Sequence, residues 1–149
     1  MRAKKLATGA ALLGLTILAA GAPARADTLI TEREAKLPDA DVRARGPMLG
    51  PKVIVVSPAR DAGAVKSPFA LVIRFEGRDG VQVDLNSLVV TYEKSPPVDL
   101  TERVKEFLTS SGIAMPQAET PSGDHRIHVE IKDVEGRLGG TEFSIDAAP

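Results

Sequence analysis

The residues best equipped for chemistry in this sequence are two histidines, His125 and His128, with Asp124 beside the first. Imidazole is a common ligand for zinc and copper and a frequent general base, so this trio is the natural place to look for a metal or a catalytic site. From Arg126 to Lys132, however, polar and apolar residues alternate with a period of two, as in a half-buried strand. Positions three apart on a strand face opposite ways, which keeps the two rings from converging on one ion. Only His125, at the strand's start, has the freedom to swing into a loop site. The expected role of both histidines is an ordinary place in a strand, and no metal or other cofactor is expected.

Asp79, Asp84, Asp133 and Glu135 lie in or beside turns, where loop carboxylates can assemble a calcium site. They lack the regular spacing of a calcium loop, and turn acids commonly serve neighbouring backbone N–H groups. Nucleophilic catalysis needs a Ser or Cys oriented by a His and an acid. The chain has no cysteine and no G-x-S-x-G elbow, and Ser122 to His125 reads as a hairpin turn. A P-loop and an H-E-x-x-H helix are missing too, so an enzyme is not expected. Tyr92, with Arg74 and Glu93, is the expected recognition surface, because aromatics and arginine dominate binding hot spots. With one Tyr, four Phe and no Trp, the chain offers no aromatic platform for stacking sugars.

The elements that must position these residues begin after a targeting segment. Arg2, Lys4 and Lys5 precede an apolar run from Leu6 to Ala20, and small residues at Ala24 and Ala26 stand just before Asp27. This is the pattern of a secretory signal peptide over residues 1–26, cleaved between Ala26 and Asp27. The apolar run is shorter than the roughly 20 residues that a spanning helix needs, so no stable membrane insertion is expected after cleavage. The whole chain carries 19 basic and 20 acidic residues, and removing the basic signal leaves about −5 at neutral pH. That balance gives no electrostatic basis for binding nucleic acid. The absence of cysteine excludes a disulfide scaffold, a thiol redox protein and a Cys-anchored lipoprotein.

Residues 27–50 are charged, contain Pro38, Gly46, Pro47 and Gly50, and hold few large apolar residues, which predicts a flexible arm or linker. Residues 51–149 then read as one all-β domain of about seven short strands. Strands are expected over 53–56, 69–75, 81–83, 88–92, 113–117, 126–132 and 141–145, with turns at Gly63, Gly77 to Gly80 and Asp133 to Gly136. One short helix interrupts them. Asp99 is its expected cap, Leu100, Val104, Phe107 and Leu108 its apolar stripe, and Gly112 its end. An antiparallel β-sandwich follows from this density of short strands.

Val55 to Val65, with Ser57-Pro58 and Gly63, resembles the opening of bacterial immunoglobulin-like modules of exported proteins, and Ser122 to Arg137 followed by Thr141 to Ile145 resembles their closing hairpin. The resemblance implies an Ig-like β-sandwich that binds, spaces or stiffens. The periplasmic copper-carrier type of Ig-like sandwich is similar in size and opening. Its metal is held by a histidine at the mature N-terminus and by an Asp-Gly-His turn. Here those places hold Asp27 and the turn Glu135, Gly136 and Arg137, and a guanidinium that stays protonated cannot ligate copper. The expectation is an exported, periplasmic or secreted, non-catalytic binding or accessory module whose partner is another envelope protein. A metal-handling, copper-carrier-like protein using His125 or His128 is the alternative.

Overall fold

Burial with a period of two organises most of this chain. Phe69, Leu71, Ile73 and Phe75 are buried while Ala70, Arg74 and Glu76 between them are exposed, and Ile127, Val129 and Ile131 repeat the pattern later. A computed structural model describes residues 25–41 and 43–149. The expected signal peptide therefore lies outside the described residues except for Arg25 and Ala26.

Nine strands and two short helices follow one another among the described residues. They are β1 (Asp27–Thr28), α1 (Glu32–Ala35), β2 (Lys52–Ser57), β3 (Phe69–Glu76), β4 (Val83–Tyr92), β5 (Val98–Asp99), α2 (Thr101–Lys105), β6 (Leu108–Thr109), β7 (Gly112–Glu119), β8 (Gly123–Asp133) and β9 (Leu138–Ala147). The order β1-β7-β3-β2, with β6 also on β7, makes one sheet, and β5-β4-β8-β9 makes the other. Among the described strands, β1 and β7 pair in parallel and the other strand pairs are antiparallel. Leu71, Ile73, Ile113 and Met115 from the first sheet share one core with Val90, Tyr92, Ile127, Val129 and Ile145 from the second. The protein is all-β, with two sheets closing over that core. Among the described residues, no helix is long and apolar enough to cross a membrane.

Three local expectations are corrected. Residues 81–83 and 88–92 do not form two strands. Most of this stretch is one strand, β4, with a register shift against β8 between Asp84 and Val89. Asp84 accepts from the Asn86 N–H, and the Ser87 hydroxyl accepts from the Lys132 N–H, so side chains satisfy the backbone across the irregularity without a reversal. The helix is also shorter than its stripe. Leu100 and Val104 are fully buried as predicted, but Leu100 rather than Asp99 is the N-cap, and Asp99, one position earlier, accepts from the Thr101 N–H at 2.8 Å. Leu108 and Thr109, however, form a ladder with β7. Gly112 opens β7 with φ 146°, where a Cβ would lie 1.9 Å from the Ile73 carbonyl oxygen. It is a point of close strand approach, which ends the helical option.

The flexible arm is the third correction. Asp27 and Thr28 pair with β7, and Leu29 and Ile30 are buried in the core. Thr31 and Glu34 form a reciprocal capping box around α1, and Arg103 of α2 donates to both Glu34 carboxylate oxygens and to the Leu29 carbonyl. Two large apolar residues and one arginine are enough to hold a segment whose composition is otherwise that of a linker. Residues 43–50 then run beside the outer face of the four-stranded sheet and enter β2.

Candidate functional site on the outer face of the four-stranded sheet

Strand register decides which side chains meet. Thr91, His128 and Glu142 lie side by side across β4, β8 and β9, and the Glu93 N–H donates to the Arg126 carbonyl in the next outward-facing row. Glu93, Arg126, His128, Glu130 and Glu142 consequently share the outer face of one sheet. Above them passes a strap of residues 38–41 and 43–50. The Ser95 N–H donates to the Pro38 carbonyl, the Ala40 N–H to the Glu93 carbonyl, and the Gly50 N–H to the Leu138 carbonyl, which fastens the strap at both ends. Between strap and sheet lies a charged cleft of about 350 Å³, lined among others by Arg43, Arg45, Lys94, Arg126, His128 and Glu130.

Arg45 reaches down from the strap. Its Nη1 donates to Glu142 at 2.6 Å and its Nη2 to Glu93 at 2.7 Å, so one guanidinium bridges a carboxylate on β9 and one just past the end of β4. Burial works against the charge of Arg45, but the bonds to Glu93 and Glu142 outweigh it and raise its pKa above the ordinary arginine value. At one edge, Lys94 donates to Asp39 at 2.6 Å while its ammonium stands 5.1 Å from the Tyr92 ring centroid. That hydrogen bond holds the Asp39 carboxyl below its usual range.

His128 lies under this roof at 4% exposure although it points away from the core. Its Nε2 is 2.9 Å from Glu130 Oε1, and its Nδ1 is buried without a hydrogen-bond partner. Single donor atoms of Glu93, His128 and Glu142 lie within 4.8 Å of one another.

His125 points the other way, into the core, as the strand argument requires. Its Nδ1 is 2.8 Å from the Tyr92 hydroxyl and its Nε2 is 2.8 Å from the Pro121 carbonyl. A carbonyl only accepts, so Nε2 carries the proton and Nδ1 accepts from Tyr92. With both nitrogens occupied inside the core, His125 has no electron pair to offer a loop ligand.

The expected recognition surface of Tyr92, Arg74 and Glu93 does not exist as one patch. Tyr92 is 1% exposed because it continues the inward series of Leu88 and Val90. Arg74 is exposed on the other sheet, and Glu93 belongs to the cleft. The turn acids serve local structure. Asp133 accepts from the Glu135 and Arg137 N–H groups and from Arg137 Nε. Burial pushes its carboxyl up, but the Arg137 bonds outweigh that and leave it below the usual range. Glu135 and Asp79 also lie within ion-pair distance of Arg137, so this arginine ties the β8–β9 turn to the turn between β3 and β4.

The residues that sequence reasoning missed are Arg45 and Glu142. Their separation along the chain hides the pairing, and only the alternation of β9, with Phe143 and Ile145 inward, signals that Glu142 faces the same side as His128. The fold and site define a class: an all-β, two-sheet protein with a strapped, charged cleft on one outer face. No protein-family model matches the chain, and neither the curated proteins nor the solved structures offer a match.

Proposed function

We propose that this chain is an exported, non-catalytic β-sandwich of immunoglobulin-like type, working in the periplasm or outside the cell as a binding or accessory module for another envelope protein. The observation that carries the reading is the cleft itself. The four-stranded sheet holds Glu93, Arg126, His128 and Glu142 at fixed register on its outer face, under a strap that contributes Arg43 and Arg45. A rigid frame that projects mixed charges into a shallow cleft favours recognition of a partner with complementary charges. A metal-handling role is the second reading, favoured by the grouping of Glu93, His128 and Glu142.

Site-specific photocrosslinking in the native host tests the first reading. A crosslinker at Ser95, which lines the cleft, should capture one envelope protein repeatedly, and Arg43→Glu in the same chain should abolish that capture. A crosslinker at exposed Ala114 on the opposite sheet should not capture it. Equal capture from both positions, or none from Ser95, would refute the cleft as the contact.

A further inference from the structure

We infer that Glu93, His128 and Glu142 form a latent site for a borderline first-row divalent cation of the Zn²⁺ type, and that Arg45 occupies it as a built-in competing cation. The inference uses the same cleft as the proposed function but does not depend on a protein partner.

Three independent features of His128 and its neighbours point to a metal. First, His128 is a buried side chain, 4% exposed, with an Nδ1 that has no partner. A buried polar atom left unpaired is costly, and native proteins rarely tolerate one without a reason. Second, the other ring nitrogen faces Glu130 at 2.9 Å. An ionised carboxylate only accepts, so Nε2 carries a proton, and in the neutral imidazole Nδ1 then keeps its lone pair. A carboxylate that fixes the tautomer of an imidazole from behind is the usual outer partner of a metal-binding histidine. Third, Glu93 and Glu142 each offer an oxygen within 4.8 Å of a His128 ring nitrogen and of each other. Small rotations about χ angles would bring three such donors to the roughly 2.0–2.2 Å from an ion that zinc requires. One imidazole and two carboxylates leave a fourth position for water or a partner's side chain, and the nitrogen donor favours zinc-like ions over calcium or magnesium.

Arg45 explains how the two carboxylates are neutralised without a metal. Its guanidinium bonds both of them, at 2.6 and 2.7 Å, and leaves His128 Nδ1 unserved. The guanidinium balances the two negative charges, but its hydrogen bonds go to the carboxylates and none reaches His128 Nδ1. A metal would satisfy all three groups at once. Loading would release Arg45 from the sheet, so occupancy and the seating of the strap are coupled through one pair of carboxylates.

The test is a calorimetric titration of ZnCl₂ into the metal-stripped chain, prepared without a polyhistidine tag, in a buffer with no zinc affinity at neutral pH. Arg45→Ala should bind one Zn²⁺ at least about tenfold more tightly than the native chain, because the competing cation is gone. Adding His128→Ala or, separately, Glu93→Gln to Arg45→Ala should weaken that affinity at least about tenfold. Urea unfolding of each variant establishes that the titrated protein is folded, and the Glu93→Gln variant keeps the test decisive if His128→Ala is not. The inference is overturned if Arg45→Ala binds Zn²⁺ no more tightly than the native chain, or if binding survives both second substitutions unchanged. Loss of the zinc effect with retained crosslinking at Ser95 would remove this inference and leave the partner reading standing.

Discussion

The Tyr92 hydroxyl donates to His125 Nδ1 at 2.8 Å inside the core, and the two rings meet edge-on with centroids 5.6 Å apart. Two residues that look functional in a sequence, the single tyrosine and one of two histidines, are thereby joined as a structural pair bridging β4 and β8.

Tyr92→Phe should destabilise the protein by about 1–3 kcal/mol, because it leaves His125 Nδ1 buried without a donor. Urea unfolding at neutral pH measures this, and an unchanged midpoint would show that the pair contributes nothing. Burial also raises the tyrosine's pKa above its ordinary value of 10.0. A raised folded-state pKa gives stability that is present below 10.0 and is lost as the pH climbs through the folded value. The native protein should therefore lose stability above that pH in a step that Tyr92→Phe lacks.

Leu29→Ala should cost about 2–4 kcal/mol, the range for truncating a fully buried leucine. A free arm predicts almost no change. Limited proteolysis gives the second readout: residues 27–37 should resist cleavage in the native protein and become susceptible in Leu29→Ala. Cleavage of that segment at equal rates in both would contradict its place in the core.

The Arg103 pair holds the Glu34 carboxyl at about 2, well below its ordinary 4.5, through the side-chain hydrogen bond first, with burial opposing it. A depressed pKa in the folded state means stability that is fully present above 4.5 and is lost as the pH falls through the folded value. Arg103→Ala should remove about 1–2 kcal/mol at neutral pH, after allowance for partial solvent screening. It should also flatten the fall in stability between pH 5 and 2, read from urea midpoints across that range. A parallel acid profile in native and variant proteins would assign the acid sensitivity to other groups.

The strands were legible because burial on one face of a sheet leaves a trace with a period of two, and Phe69 to Phe75 and Ile127 to Ile131 carry it openly. The opposed directions of His125 and His128 were legible for the same reason. The two-residue strands β1, β5 and β6 were not, since a pair of residues carries no periodicity and forms a strand only because a neighbour lends it hydrogen bonds. Leu108 illustrates the competition. Its place in a helical stripe was a sound local signal, and the ladder to Ile113 overrode it. Tyr92 misled for another reason, because a tyrosine's polar tip suggests exposure until a partner such as His125 satisfies it within the core.

What the sequence by itself determined is the all-β class, the inward faces of the long strands, and the separation of the two histidines, because each follows from the local geometry of a pleated strand. What only the tertiary structure decided is the cleft. Glu93 follows the end of β4, His128 lies on β8 and Glu142 on β9, and Arg45 comes from a strap whose composition signals no fold at all. Their meeting depends on strand order and register, which arise from the summed packing of both sheets and leave no mark at any single position.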